Sequence, residues 1–282
     1  MPSVKDLKLR IRAVKNTQQI TKAMKMVAAA RIKRAESKVK ASRPYTQKMG
    51  EMVSNLVGST EEPHPFFVVR PVKRIAFLLV TADKGLCGSY NSNLFRLAQA
   101  FLTQHKNVEV DLLTVGNKGR GFFTKRALKS SKHFIPAFYP EFENAKEIGE
   151  FLIEGFLNGQ WDEIHLVYAR FVSAISQKPT QVQLLPLSAN QKEEKKVDFL
   201  YEPNPETVLA SLLPKYVEVL IYSALLEARA SELGARLVAM GSATDNAKKL
   251  IDRLTLHFYR ARQESITKEI LEVASGAEAL NG

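Results

Sequence analysis

Stepping alternately four and three residues from Val219, the chain presents Val219, Ser223, Leu226, Ala230, Leu233, Leu237, Met240, Thr244, Ala247, Ile251, Leu254, Phe258 and Ala261, of which eleven are apolar. The ten charged residues between 219 and 261 all fall off this stripe. A helix with one narrow apolar line repeated in this way must lay that line against another helix, as in a coiled-coil seam. Pro214 suits the start of such a helix and Gly276 its end, which predicts a run about 90 Å long at 1.5 Å per residue, too long for a compact domain. Within it, Gly234 and Gly241 each cost about 1 kcal/mol relative to alanine. With Ala235, Ala239, Ser242 and Ala243 they form a thin stretch where another backbone can approach. Leu220, Ile221, Leu225, Val238, Leu250 and Leu256 lie off the seam. One partner helix leaves much of that surface uncovered, so a further apolar surface is expected around it.

The same alternation runs through Val4, Leu7, Ile11 and Val14, then the polar Gln18, Thr21 and Lys25, then Ala28, Ile32, Ala35 and Val39. Around the polar interruption Ile20, Met24, Met26 and Val27 are expected to face something other than the partner helix. Pro44 should kink or briefly break this helix, because it lacks a donor and crowds the preceding turn. Gly58 and the EEPHP stretch from Glu61 to Pro65 should end it.

Between the two helical segments the pattern switches to short strands and helices. Strands are expected at Ile75–Thr81, Glu109–Val115, Glu163–Phe171 and Gln181–Leu187, and helices at Asn93–His105, Lys118–Leu128 and Asn144–Leu157. That order predicts an α/β middle domain with a mainly parallel sheet. Ala189–Pro205, charged and then proline-bearing, reads as a linker. The division is therefore 1–57, 58–205 and 206–282. If the first and last helices pair beside the middle domain they must run antiparallel, giving a long antiparallel coiled coil.

The formal charge of +12 is very uneven. Residues 1–57 hold 14 Lys/Arg against three acidic residues, 58–205 hold 18 against 16, and 206–282 hold nine against ten. The basic helix has three readings: a solvated face, a nucleic-acid contact, or a contact with an acidic protein. Against nucleic acid stand the regular apolar seam and the lack of aromatic residues among the basic ones, Tyr45 being the only aromatic in residues 1–57 of the sequence. One cysteine, Cys87, excludes an intrachain disulfide and fits a reducing compartment. The uninterrupted apolar runs, such as Ile75–Val80, fall well short of the roughly 20 residues of a spanning helix. Asp6 and a pattern that continues past residue 30 argue against a removable leader.

TADKGLCGSYN, from Thr81 to Asn91, follows a strand and precedes a helix, where a phosphate-binding loop would sit. It has only Gly85 and Gly88 and matches neither GxxxxGK[ST] nor GxGxxG, so a tight structural turn competes with a nucleotide site. GNKGRG, from Gly116 to Gly121, could also cradle phosphate, against the reading of a solvated helix start. The five histidines show no metal-ligand spacing, Cys87 has no activating neighbour in sequence, and no nucleophile–base pattern is present. No catalytic residue, cofactor or metal is expected.

NTQQITKAMKMVAAARIKRAE, from Asn16 to Glu36, closely resembles the N-terminal helix of the gamma subunits of F-type ATP synthases. TADKGLCGSYN is similar to their middle-domain motif, and ARQESITKEILEVASGAEAL, from Ala261 to Leu280, looks like their C-terminal signature. The three occur in the family's order, and the resemblance covers essentially the whole chain. It implies a rotor shaft rising through alternating alpha and beta subunits. The middle domain would then be a foot bound to epsilon and the c-subunit ring, with proton-driven rotation coupled to conformational cycling of the catalytic beta subunits. It also implies a non-catalytic subunit, no nucleic-acid partner, and membrane association only through the c ring, on the cytoplasmic side of a bacterial cell membrane. Met24, Lys25, Arg31, Arg262 and Gln263 are the positions it suggests for contact with the stator, and Leu226, Leu233, Leu237, Met240, Ile251 and Leu254 are the seam. The thiol-regulated insert of chloroplast relatives is lacking. The alternative is a nucleotide-binding α/β protein with coiled-coil arms, and a basic coiled-coil nucleic-acid binder is a third reading.

Overall fold

The computed structural model describes residues 3–57, 64–126, 130–135, 139–187, 202 and 204–281. A capping box opens the first helix: the Ser3 hydroxyl accepts from the Asp6 backbone N–H at 3.1 Å, and Asp6 Oδ2 accepts from the Ser3 backbone N–H at 3.2 Å. That helix, α1, runs Val4–Val57. There follow β1 (Arg74–Val80), α2 (Tyr90–Gln104), β2 (Glu109–Val115), α3 (Asn117–Thr124), β3 (Lys132–Phe134), α4 (Phe142–Leu157), β4 (Glu163–Phe171), β5 (Gln177–Leu185) and α5 (Pro205–Asn281).

The strands form one sheet in the order β3-β2-β1-β4-β5, parallel except for β5, which returns antiparallel to β4. Successive residues of β1 point to opposite faces, and both faces are covered, so this strand reads as an unbroken apolar run. Ile75, Phe77 and Leu79 pack with Leu94, Phe101 and Phe123 of α2 and α3. Ala76, Leu78 and Val80 pack with Leu152 and Phe156 of α4 and with Leu56, Leu213 and Ile221 of the two long helices.

Several expectations shift. β5 begins at Gln177, four residues before the expected start, because it is an edge strand: Gln177–Gln181 is polar and includes Pro179, which a central strand would not carry. β3 was not anticipated, since three residues are too few to show a period. The expected helix start at Pro214 is wrong. Helix α5 starts at Pro205, where a missing N–H costs nothing, and the Asn204 side chain accepts from the Thr207 N–H at 2.8 Å as its cap. Pro214 lies inside, beside fully buried Leu213 and Val217, whose packing outweighs the lost hydrogen bond. Gly276 is also internal, and Pro44 does not break α1, which runs unbroken from Val4 to Val57. The linker expected at Ala189–Pro205 and the helix-ending stretch from Gly58 lie almost wholly outside the described residues, as does the expected end of the third helix at Leu128.

By compactness the chain divides into one unit of residues 28–236 and another of residues 1–27 with 237–282. In the smaller unit the hydroxyls of Thr21 and Thr244 meet at 2.9 Å, and Lys25 lies against Gly241. In the larger unit Arg43 pairs with Glu227, and Gly50 lies against Tyr216. Numbers rise on one helix as they fall on the other, so within each unit α1 and α5 run antiparallel. A stretch of α5 is long and apolar enough to cross a membrane by composition. Its inner part supplies Leu209, Leu213, Val217, Ile221 and Leu225 to the core against the sheet, which is why it is so apolar.

Candidate functional site

The C-terminal helix keeps the four-three register throughout the paired stretch. Leu226, Leu233, Met240 and Leu254 are buried, and Leu237 and Ile251 are half-buried, while Leu250, Leu256 and Tyr259 between them are exposed. On α1, Leu7, Ala28, Ile32, Ala35 and Val39 are buried as expected. The polar interruption is placed differently from the expectation. Met24 is half-buried, in step between Thr21 and Ala28, whereas Lys25 is exposed. The three-residue step falls at Met24 because a thioether fills the seam better than an ammonium that would have to leave water. Ile20, Met26 and Val27 do stand exposed.

Of the proposed contact residues, Met24 and Arg31 are half-buried and Lys25, Arg262 and Gln263 are exposed. Within the smaller unit Met24 and Lys25 on α1 do not meet Arg262 and Gln263 on α5, since Lys25 lies against Gly241; Arg31 belongs to the other unit. From Arg262 to Ala277, α5 is exposed on every face, including Ile266, Ile270, Leu271 and Val273. The seam ends at Ala261 and the next residues in its register are Ser265, Lys268 and Glu272, so the apolar residues there form a different face.

A second constellation, which the sequence reading missed, fastens α5 to the sheet. In doubly wound sheets ligands bind outside the carboxyl ends of the strands where the order reverses, here between β1 and β4. Helix α5 lies across that place. Its Glu227 carboxylate accepts from the Phe171 N–H at 3.3 Å and from Arg43 at 3.0 Å, and Arg43 donates to the Phe171 carbonyl at 2.7 Å. The Ser231 hydroxyl donates to the Ala169 carbonyl at 2.8 Å. Tyr90 donates to the Ala228 carbonyl at 3.2 Å. The Arg236 guanidinium donates to the Gly85 carbonyl at 3.2 Å and is held by Glu232, which also pairs with Arg229. At Gly234 a side chain would come within 2.8 Å of the Ala174 carbonyl oxygen, so here another backbone does approach the thin stretch. At Gly241 only the Lys25 side chain approaches, at ordinary contact distance. Burial and the neighbouring Glu227 carboxylate push the Tyr168 hydroxyl up to about 12, so it stays neutral in this network.

Three amides of the glycine-bearing loops are spent on the protein itself. Ala82 N–H donates to Asn91, Lys118 N–H to the Ala82 carbonyl, and Gly119 N–H to the Thr81 hydroxyl. Gly116, at φ +91°, lies so close to the Thr81 carbonyl that no side chain fits. These three amides are not free to meet a phosphate, and α5 lies against the same loop and the ends of β1 and β4. Cys87 is buried, which pushes its thiol up, and it accepts from Asn91 Nδ2 at 3.3 Å.

A family model described as ATP synthase matches residues 3–280. The ATP synthase gamma chain of Heliobacterium modesticaldum is 47% identical over 99% of this chain and 100% of its own length. That of Desulfitobacterium hafniense is 44% identical with the same coverage. Among solved structures, a chain in the central stalk and c ring of the Tetrahymena thermophila mitochondrial ATP synthase is 28% identical. It covers 79% of this chain and 99% of its own, with a TM-score of 0.63. A chain of the Euglena gracilis mitochondrial ATP synthase, from its OSCP/F1/c-ring assembly, shares the fold with a TM-score of 0.74 over 98% of this chain at 22% identity. With the family model spanning nearly every residue and relatives matched from end to end, this chain belongs to the ATP synthase gamma chain family.

Proposed function

We propose that this chain is the central rotor shaft of an F-type ATP synthase and couples proton-driven rotation of a membrane c ring to conformational cycling of the catalytic beta subunits. The observation that carries this reading is α5, a single helix that supplies one side of the helix seam and is also bolted to the sheet through Glu227, Ser231 and Arg236. A rotor must transmit torque between the part that is turned and the part that acts, and α5 contributes to both units as one continuous helix. Residues 58–205 would serve as the foot, meeting epsilon and the c ring. Residues 1–57 and 206–282 would form the shaft inside the alpha and beta subunits. Met24, Lys25, Arg31, Arg262 and Gln263 are its contact residues toward the stator. In this reading the chain itself performs no covalent step, and it lies peripherally on the cytoplasmic side of the bacterial cell membrane. Coupling of this kind is a free energy shared between sites through differential contacts in each state.

The test is a complex reconstituted from alpha, beta and this chain, with a bead fixed within residues 58–205. Stepwise rotation of the bead during ATP hydrolysis is expected; hydrolysis with a stationary bead, or failure to assemble, would overturn the reading. Calorimetry of the isolated chain with ATP separates it from the nucleotide-binding alternative, which requires heat of binding.

A further inference from the structure

The larger unit carries an open groove of about 780 Å³ walled by α1, α4 and α5, whose function the rotor reading leaves unassigned. Small-molecule sites usually enclose roughly 300–1,000 Å³. Along α1 the groove extends from Lys38 to Thr46, about 12 Å at the helical rise, a span that suits a small molecule better than a partner helix. Its floor is apolar: Val219 and Leu226 are buried, and Phe142 meets Tyr222 edge to face with ring centres 5.8 Å apart. The hydroxyls on the α1 wall are already engaged, Ser42 donating to the Val39 carbonyl and Thr46 to the Ser42 carbonyl.

The charged groups lining the groove are two carboxyls, Glu143 and Glu218, and three ammonium groups. Glu218 is 8% exposed and pressed against Gly149 of α4, and it has no hydrogen-bond or ion-pair partner among the described residues. Burial and the Glu150 carboxylate push its carboxyl up, against the pull of Lys146 and Lys215. Around it, Lys146 reaches Glu143 and Glu150 only at 3.9 Å each. Lys38 faces the Tyr139 ring at 5.7 Å, and neither Lys38 nor Lys215 has a carboxylate within ion-pairing distance among the described residues. The Glu218 carboxyl opens to the groove, where a ligand donor can reach it, and three ammonium groups against two carboxyls leave the lining net positive over an apolar floor, which favours an amphiphilic anion.

We propose that this groove binds a small amphiphile with an anionic head. The head sits among Lys38, Lys146 and Lys215, the apolar body covers Leu226 and Tyr222, and a ligand hydroxyl or N–H group meets Glu218. The probe is 8-anilinonaphthalene-1-sulfonate, whose sulfonate, rings and N–H match these three features, titrated into the full-length chain by fluorescence. One saturable site is expected. Lys38→Glu with Lys215→Glu should weaken it about tenfold. Lys8→Glu with Lys15→Glu, an equal change of net charge elsewhere on α1, should leave it unchanged. Dodecanoate below its micelle concentration should displace the dye, and dodecyltrimethylammonium should not. Unsaturable binding, equal effects of the two charge-reversal pairs, or equal displacement by the cationic amphiphile would each overturn the proposal.

Discussion

Single residues in the larger unit carry consequences that their neighbours in sequence do not reveal. Gly234 has no room for a methyl group against the Ala174 backbone. Gly234→Ala should therefore destabilise the chain by about 1–3 kcal/mol, although alanine is the better helix former, and thermal unfolding measures this. Glu218 holds its proton more tightly when folded than when unfolded. Its stabilising contribution is thus present below the ordinary carboxyl value of 4.5 and lost as pH rises through that value toward the folded one, leaving a cost at neutral pH. Glu218→Gln should raise the melting temperature at pH 7, and the gain should vanish below pH 4.5. A gain of equal size at both pH values would mean that packing, not ionisation, sets it. The Arg43–Glu227 pair also depends on context: Glu227 is 5% exposed and holds both Arg43 and the end of β4, so its partner cannot be lost as harmlessly as one in a surface pair.

At the scale of elements, the two long helices obey one rule with different contents. Helix α5 fills its seam mainly with apolar residues, whereas α1 passes through Gln18 and Thr21, and the contact of Thr21 with Thr244 of α5 replaces apolar packing at that level. Leu233 is fully buried in the α5 seam and Leu256 is exposed off it. Leu233→Asp should cost about 4 kcal/mol or more, whereas Leu256→Asp should stay within about 0.5 kcal/mol in the isolated chain, as denaturant unfolding would show. The opposite order would mean the seam face is misassigned. The register at Met24 could not be read from spacing alone: among polar residues the four-three step has two equally regular placements, and only burial chooses. β3 and the polar start of β5 escaped for a related reason, since edge strands need no apolar alternation.

At the scale of the molecule, charge is what distinguishes the two shaft helices. The segment 1–57 carries nearly all of the net +12, and the segment 206–282 is close to neutral. If the rotor reading holds, a stator of fixed charge meets a different surface at each angle, and contact residues act on turnover without acting on assembly. Arg262 is exposed and outside the seam, so Arg262→Ala should leave the complex assembled and change its rate of ATP hydrolysis. Loss of assembly would instead place Arg262 in a structural contact. The same variant separates stator contact from mere solvation, because a solvated arginine on a free helix face changes neither measurement.

Local pattern by itself determined that the first and last segments are long helices, the alternation of strands and helices between them, and most of the seam, because burial on one face of a helix or strand repeats at a fixed interval along the chain. The family was legible in three short motifs for the same reason, each being contiguous. Tertiary structure alone decided that α5 closes the crevice at the ends of β1 and β4, and that Arg236 grips a loop about 150 residues away. It also decided that Glu218 faces an open groove. No period records such pairings. They arise when separate elements fold onto one another, and the residues that join them are single polar side chains with no repeat to announce them.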